Sequence, residues 1–369
     1  MSEDKLASRR SWIALNAIPN LSPAKFTLLL AHFASPEAIW DASPEQLAAV
    51  PGFERSVDTF VRHRRQLDVD RELAEIERLG LDVVTLADDG YPNALRAIDH
   101  PPPVLYLKGD LVEKDRVAVA VVGTRKPSDY GRMVAEKLAK ELGERGFTVV
   151  SGMALGVDTA AHQGALGQSA RTLAVLGGGF GHVYPQQNVP LIDEIAASGA
   201  VLSEFATGTK PDRWTFPQRN RVISGLTRGT IVVEAGEKSG ALITAKCATQ
   251  QGREVFAVPG PITKASSRGA HRLIQQGAKL IVDVDDVLEE FPDLHETLGT
   301  ESPRAAHQGV DLPPAEAKVF GALDYEPIHF DDLVERTEAS TTEVSLALFQ
   351  LEAKGLIKEL AGKRYAKLP

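Results

Sequence analysis

The sequence has one cysteine, Cys247, in 369 residues. A lone thiol excludes an internal disulfide framework and a cysteine-rich zinc site. Its setting, ALITAKCATQ, is an apolar helical pattern, which assigns it to packing. No apolar run is long enough to span a bilayer, so no membrane association is expected. The opening MSEDKLASRRSWIAL lacks the apolar core and cleavage site of a secretory leader, and a cytoplasmic location is the expectation. A global positive field is missing as well, since 41 basic residues face 50 acidic ones for a net charge of −9. Residues 1–70 hold 8 basic and 9 acidic residues, 71–300 hold 25 and 29, and 301–369 hold 8 and 12. Any polyanion site must therefore be local.

Several catalytic signatures are also missing. The pattern G-x-x-x-x-G-K-[ST] does not occur, which removes P-loop phosphoryl transfer. The glycine run GGGFGH places His182 where a dinucleotide fingerprint requires its last glycine. There is no G-x-S-x-G nucleophile turn. Asp158 and His162 lie four apart on one helical face, but no third ligand stands at useful spacing. Asp158 reads as a local hydrogen-bonding group with His162 packed against it. Glu204 and Glu234 end strands without forming an acid–base pair, and they read as partners that orient arginines. No catalytic residue, metal or cofactor is expected.

What is present divides into three parts. Residues 1–70 read as a helical domain. Ser22-Pro23, Ser35-Pro36 and Ser43-Pro44 each suit an N-cap followed by proline in the first turn. The stretch QLAAVPGF resembles the hairpin of a SAM-like or helix-hairpin-helix module, read here as a packing or dimerisation element. Residues 71–292 alternate short apolar strands with helices, the pattern of an α/β fold: an extended Rossmann-like, mainly parallel sheet covered on both faces. The strands expected are 83–86, 117–122, 147–150, 172–176, 200–202, 230–234, 254–258 and 279–282. Residues 293–312 lose periodicity and read as a linker. Residues 313–369 suit three helices and a β-hairpin, a winged helix, whose basic stretch from Lys354 suits either a duplex or a protein contact.

Ligands of such sheets bind beyond the carboxyl ends of the strands, so the informative segments are the loops there. VVGTRKPSDYG offers Gly123, a cationic fork at Arg125, and Ser128 as N-cap of a helix whose free amides suit phosphate. SGMALGVDTAAHQGAL and TLAVLGGGFGHVYPQQN add glycine-rich turns. KPDRWTFPQRNRVISGLTR is the densest stretch. It sets Lys210, Arg213, Arg219, Arg221 and Arg228 against Asp212 alone, with Trp214 and Phe216 interleaved. Cations among rings suit single-stranded nucleic acid, because bases stack on rings while arginines follow phosphates. Phe216, before a proline in a loop, reads as the stacking ring, and Trp214 as a core anchor. In VVEAGEKSGALITA, Ser239-Gly240 opens a helix beside Lys238, a further anion seat. Residues 265–273 read as a polar loop. The site is built to hold phosphates rather than to break a bond.

These stretches, with YPNALRAIDHPPPVLYLKGD upstream and REVFAVPGPI downstream, resemble the DprA/Smf family of bacterial DNA-processing proteins over roughly residues 80–285. The resemblance implies a homodimeric mediator without a catalytic step. Such a protein binds and protects incoming single-stranded DNA during natural transformation. It cooperates with or displaces single-strand-binding protein and loads RecA. By motif match, the phosphate-contacting trio falls on Gly123, Thr124 and Arg125. The basic residue before the stacking aromatic falls on Arg213 and the aromatic on Phe216. The RN pair falls on Arg219 and Asn220, and the helix start that completes the pocket on Ser239 and Gly240. Gly181 stands where relatives commonly have aspartate. The alternative is a nucleotide phosphoribohydrolase of the lysine-decarboxylase-like (LOG) group, whose P-G-G-x-G-T-x-x-E motif is absent, including its glutamate.

Overall fold

The computed structural model describes residues 9–167, 170–294 and 312–367. Most of the linker expected over 293–312 lies outside these residues. Its first two positions do not behave as linker: Asp293 forms an ion pair with Arg228, and Leu294 is buried in the core.

The centre of the chain is a nine-stranded sheet in the order β1-β2-β6-β5-β4-β3-β7-β8-β9. Its strands are β1 (Asp82–Thr85), β2 (Val104–Gly109), β3 (Ala118–Val122), β4 (Thr148–Ser151), β5 (Thr172–Val175), β6 (Ala200–Ser203), β7 (Gly229–Val232), β8 (Glu254–Ala257) and β9 (Lys279–Leu280). β6 through β9 pair in parallel, and β1 and β2 add an antiparallel edge. β2 (VLYLKG) is a strand beyond those expected from the sequence. Every residue of β3 is buried. Val119 and Val121 enter the core on one face, while Ala118, Ala120 and Val122 enter the core on the other. Each valine so buried contributes about 1.5–3 kcal/mol, which explains an unbroken apolar strand.

Helices cover both faces. On one lie α8 (Asp129–Glu144) and α9 (Val157–Leu166). On the other lie α11 (Thr215–Gly225) and α12 (Ala241–Gln250), with α7 (Asn93–Arg96). α10 (Leu191–Ser198) and α13 (Arg268–Gln275) complete the layers, and α14 (Asp285–Leu288) closes the core near its end. α13 occupies most of the stretch expected to be a polar loop.

Among the described residues six helices precede the sheet: α1 (Arg10–Asn16), α2 (Pro23–His32), α3 (Pro36–Asp41), α4 (Pro44–Ala48), α5 (Val57–Gln66) and α6 (Val69–Arg78). Ser22, Ser35 and Ser43 cap α2, α3 and α4, each with proline in the first turn. Ile13 of α1 and Ile76 of α6 pack into the core of the sheet, whereas Leu15 of α1 belongs to the separate helical core. α1 thus joins the two. In the α4–α5 turn the Gly52 amide donates to both oxygens of Glu54 (3.0 Å each), so a carboxylate of the chain takes the free amide of that turn.

The C-terminal unit is α15 (Pro314–Ala322), β10 (Ile328–His329), α16 (Phe330–Thr337), α17 (Thr341–Ala353) and the hairpin β11 (Ile357–Leu360) and β12 (Arg364–Lys367), with its own core. α17 carries no lysine or arginine and exposes Leu346 and Phe349. Four of the five cations from Lys354 onward are engaged. Lys354 pairs with Glu316 (2.5 Å), Lys358 reaches Glu136 (3.8 Å), Arg364 reaches Asp129 (3.9 Å), and Lys367 lies over the Phe320 ring (4.7 Å).

Candidate nucleic-acid interface

Strand order reverses between β3 and β7, the switch point at which a parallel sheet opens a crevice. A cleft of about 620 Å³ opens there. All ten residues selected from the sequence line it: Gly123, Thr124, Arg125, Arg213, Phe216, Arg219, Asn220, Lys238, Ser239 and Gly240. The loop after β3 supplies the first three, the turn before α11 supplies Arg213, the N-terminal half of α11 the next three, and the loop after β7 the rest.

The ten do not play equal parts. Arg125, Arg213 and Lys238 are exposed, and among the described residues none has a carboxylate within ion-pair distance. The Arg125 guanidinium sits 4.8 Å from the centroid of the Phe216 ring. Phe216 is half-buried on the first turn of α11, not in a loop. A Cβ at Gly177 would lie 2.5 Å from its Cδ1, so the glycine at the end of β5 makes room for the ring.

Arg219 faces the other way in energetic terms. It is 4 % exposed, and its Nη1 donates to Gly152 O (2.5 Å) and to Val175 O. Burial pulls its pKa down to about 10, with the neighbouring Asp158 opposing, so it stays charged at neutral pH. It braces the cleft floor rather than offering a free fork. Burial likewise pushes Asp158 above the usual carboxylate value, against Arg219 and two amide hydrogen bonds. Asn220 is buried too and donates to Gly240 O (3.2 Å), tying α11 to the start of α12. Arg221 pairs with Glu204, and Arg228 makes a bidentate pair with Asp293 (2.6 and 3.0 Å). The dense cationic segment is therefore divided. Arg213 faces the cleft, while Arg219, Arg221 and Arg228 are held by the fold.

Of the two helix starts expected to seat an anion, the one at Ser128 is occupied by the chain itself, while the one at Ser239-Gly240 opens into the cleft with no carboxylate of the described residues bound to it. At the start of α8, Ser128 donates through N–H and Oγ to Glu234 Oε2 (2.9 and 3.1 Å), while its Oγ accepts from Gly131 (3.0 Å). Glu234 thus neutralises a helix N-terminus rather than orienting an arginine. Asp158 accepts from the amides of Gly152 (3.2 Å) and Ala154 (3.3 Å) in the next loop. Asp212 accepts from Trp214 (2.6 Å) and Thr215 (2.9 Å) at the start of α11. Gly179 and Gly181 donate to Thr209 O and Thr207 O (2.9 Å each). The positive groups left for a ligand are the side chains of Arg125, Arg213 and Lys238 and the start of α12 at Gly240.

Two further expectations change. Trp214 is 68 % exposed, not a core anchor, because the Asp212 turn holds its backbone at the surface. His162 does not rely on Asp158. Thr172 Oγ1 donates to Val149 O (2.9 Å) and so accepts from His162 Nδ1 (2.7 Å). Its Nε2 is buried without a partner, and burial lowers its pKa to about 3. Sequence reasoning missed Tyr184, 51 % exposed, whose ring meets Phe216 edge-on at 6.1 Å. Its only signal was an aromatic in a glycine- and proline-rich loop. Among the described residues no group of three acids, histidines or cysteines is placed to hold a metal ion, and no helix is long and apolar enough to cross a membrane.

Residues 82–292 match the model of the DNA recombination-mediator protein A family, and residues 303–363 match that of the DprA winged helix domain. Protein Smf of Synechocystis is 35% identical over 96% of this chain and 98% of its own length. The X-ray structure of DNA processing protein A from Streptococcus pneumoniae covers 76% of this chain and 98% of its own, with 37% identity and a TM-score of 0.67. A solved structure of DNA processing protein A from Helicobacter pylori, described for its single-stranded DNA binding mode, covers 58% of this chain and 96% of its own, with 30% identity and a TM-score of 0.51.

Proposed function

The chain belongs to the DNA recombination-mediator protein A family, and from that premise we propose that it binds single-stranded DNA in the switch-point cleft without breaking a bond. In this reading Arg125, Arg213 and Lys238 take phosphates and Phe216 takes a base. Gly123, Thr124, Ser239 and Gly240 form walls that backbone and sugar approach, and Arg219 and Asn220 hold the floor. One observation carries the reading: ten residues from three separated segments line one open cleft, with free cations beside a ring. The proposal extends to protection of incoming single strands in natural transformation, in the cytoplasm, and to their transfer from single-strand-binding protein to RecA. It includes a homodimer. Edge strand β9 and the loop after β8 support this by leaving Leu280, Val282 and Ile262 exposed.

Fluorescence anisotropy with labelled single- and double-stranded oligonucleotides over a salt series tests the core of it. The single strand binds more tightly. Arg125→Ala lowers the log–log salt slope by ~0.7, the value for one single-strand phosphate contact. Phe216→Ala weakens binding by ~1–3 kcal/mol at unchanged slope. Wild-type binding by both variants removes the site from the cleft. Faster RecA assembly on a strand coated with single-strand-binding protein tests the transfer step.

A further inference from the structure

We infer that Tyr184 and Trp214 form an aromatic rim outside the cleft, on which further unpaired bases of the same strand stack. The inference rests on the cleft being a single-strand site, and it extends that site beyond the residues selected above.

Three observations lead to it. Two large rings stand in solvent, Trp214 at 68 % and Tyr184 at 51 % exposure, where folding gains little from them. Trp214 is held out by structure: Asp212 fixes its amide and that of Thr215, and Thr215 Oγ1 accepts from the Asp212 amide (2.9 Å). Each ring is also joined to the cleft. Tyr184 touches Phe216 edge-on. Arg213, a cleft residue, lies 4.9 Å from the Trp214 ring centroid.

The third observation is that Phe216 is already engaged in the free protein. Arg125 lies over its ring, and the backbone of Gly177 abuts its Cδ1 side. Half-buried Phe216 therefore presents only part of its ring to a base, and the rings of the rim carry the larger open surfaces. Arg213 on Trp214 repeats the unit made by Arg125 on Phe216, a ring that takes a base next to a guanidinium that takes the adjoining phosphate. The recurrence of that unit favours an unpaired polynucleotide over a protein partner.

The test uses the full chain and an oligothymidylate, followed by anisotropy and by intrinsic tryptophan emission. Trp12 and Trp40 are half-buried in helical packing, so Trp214 is the tryptophan a base can reach. Oligonucleotide quenches wild-type emission, and Trp214→Phe abolishes the quench while binding more tightly than Trp214→Ala. Trp214→Ala and Tyr184→Ala each weaken binding by at least about fivefold, the low end for one stacked base, with the salt slope unchanged. On an abasic strand of equal length these losses vanish. Quenching that persists in Trp214→Phe overturns the rim. So do alanine variants that bind like wild type while Arg125→Ala is weakened, a result that leaves the cleft standing and assigns the rings to a protein contact. If wild type binds no single strand at all, the cleft reading fails and the rim falls with it.

Discussion

Arg219 offers the sharpest separation between a residue that holds the ligand and one that holds the site. Its motif position suggests a phosphate contact, yet its side chain is enclosed and donates to two carbonyls. Arg219→Met keeps most of the volume and removes the charge. The carbonyls of Gly152 and Val175 then lose a donor inside the protein, at about 1–3 kcal/mol for each buried group left unsatisfied. Asp158 loses its stronger cationic neighbour and keeps its two amides and the weaker pull of Arg125. The two carbonyls together set a loss of about 2–6 kcal/mol. In a core of this size that lowers the transition by roughly 4–24 °C, at ~2–4 °C per kcal/mol. The loss depends on pH. Because the folded-state pKa of Asp158 lies above its unfolded value, the folded protein binds the proton more tightly. Stability therefore falls as pH rises from the unfolded pKa to the folded one, and the full penalty persists above it. Without Arg219 this folded value climbs further, so the variant's deficit is largest at neutral pH and shrinks as the medium is acidified. Thermal unfolding of the sheet domain at two pH values measures this. A parallel salt series of oligonucleotide binding by the folded variant returns the wild-type slope. An unchanged transition temperature together with a slope lowered by ~0.7 would refute the reasoning and return Arg219 to the phosphates.

Gly177→Ala places a methyl group 2.5 Å from Phe216 Cδ1. The ring must shift, so the variant loses single-strand affinity toward the level of Phe216→Ala at constant salt slope, as anisotropy reads. His162 ionises at about 3 when folded and near 6.5 when unfolded. The unfolded chain binds the extra proton between those values, so stability is lost as pH falls through that window, by up to about 1.4 kcal/mol per pH unit. His162→Gln removes one proton from the acid-unfolding profile, as calorimetry across pH 3–7 measures.

Much of the fold was legible because the parallel strands are buried on both faces and read as short apolar runs. β2 was not. Its VLYLKG follows three prolines and pairs antiparallel at the edge, so neither periodicity nor a βα repeat marked it. α11 was hidden by composition: Pro217 stands in its first turn, and charged residues cover positions that look like loop but face neighbouring segments. α13 was missed for a related reason, since RGAHRLIQ is polar on one side only and short. The cleft's membership was readable from strand-end loops, but the division of labour within it was not. Whether an arginine meets solvent or a carbonyl depends on long-range packing, as Arg213 and Arg219 show from six residues apart. Trp214 marks the same limit. A local turn closed by Asp212 overrides the usual tendency of an indole to be buried.

The chain's own carboxylates, seated in the amide nests at Glu234, Asp158 and Asp212, have one more consequence. A mould of fixed amides would grip each phosphate at a set spot and release it only as a whole. In the proposed reading most of the grip falls instead to long exposed side chains, Arg125, Arg213 and Lys238, which can swivel to the next phosphate without disturbing the frame. A polynucleotide held that way can creep along the crevice or be peeled off link by link by a competitor, which suits a station of transit rather than of storage.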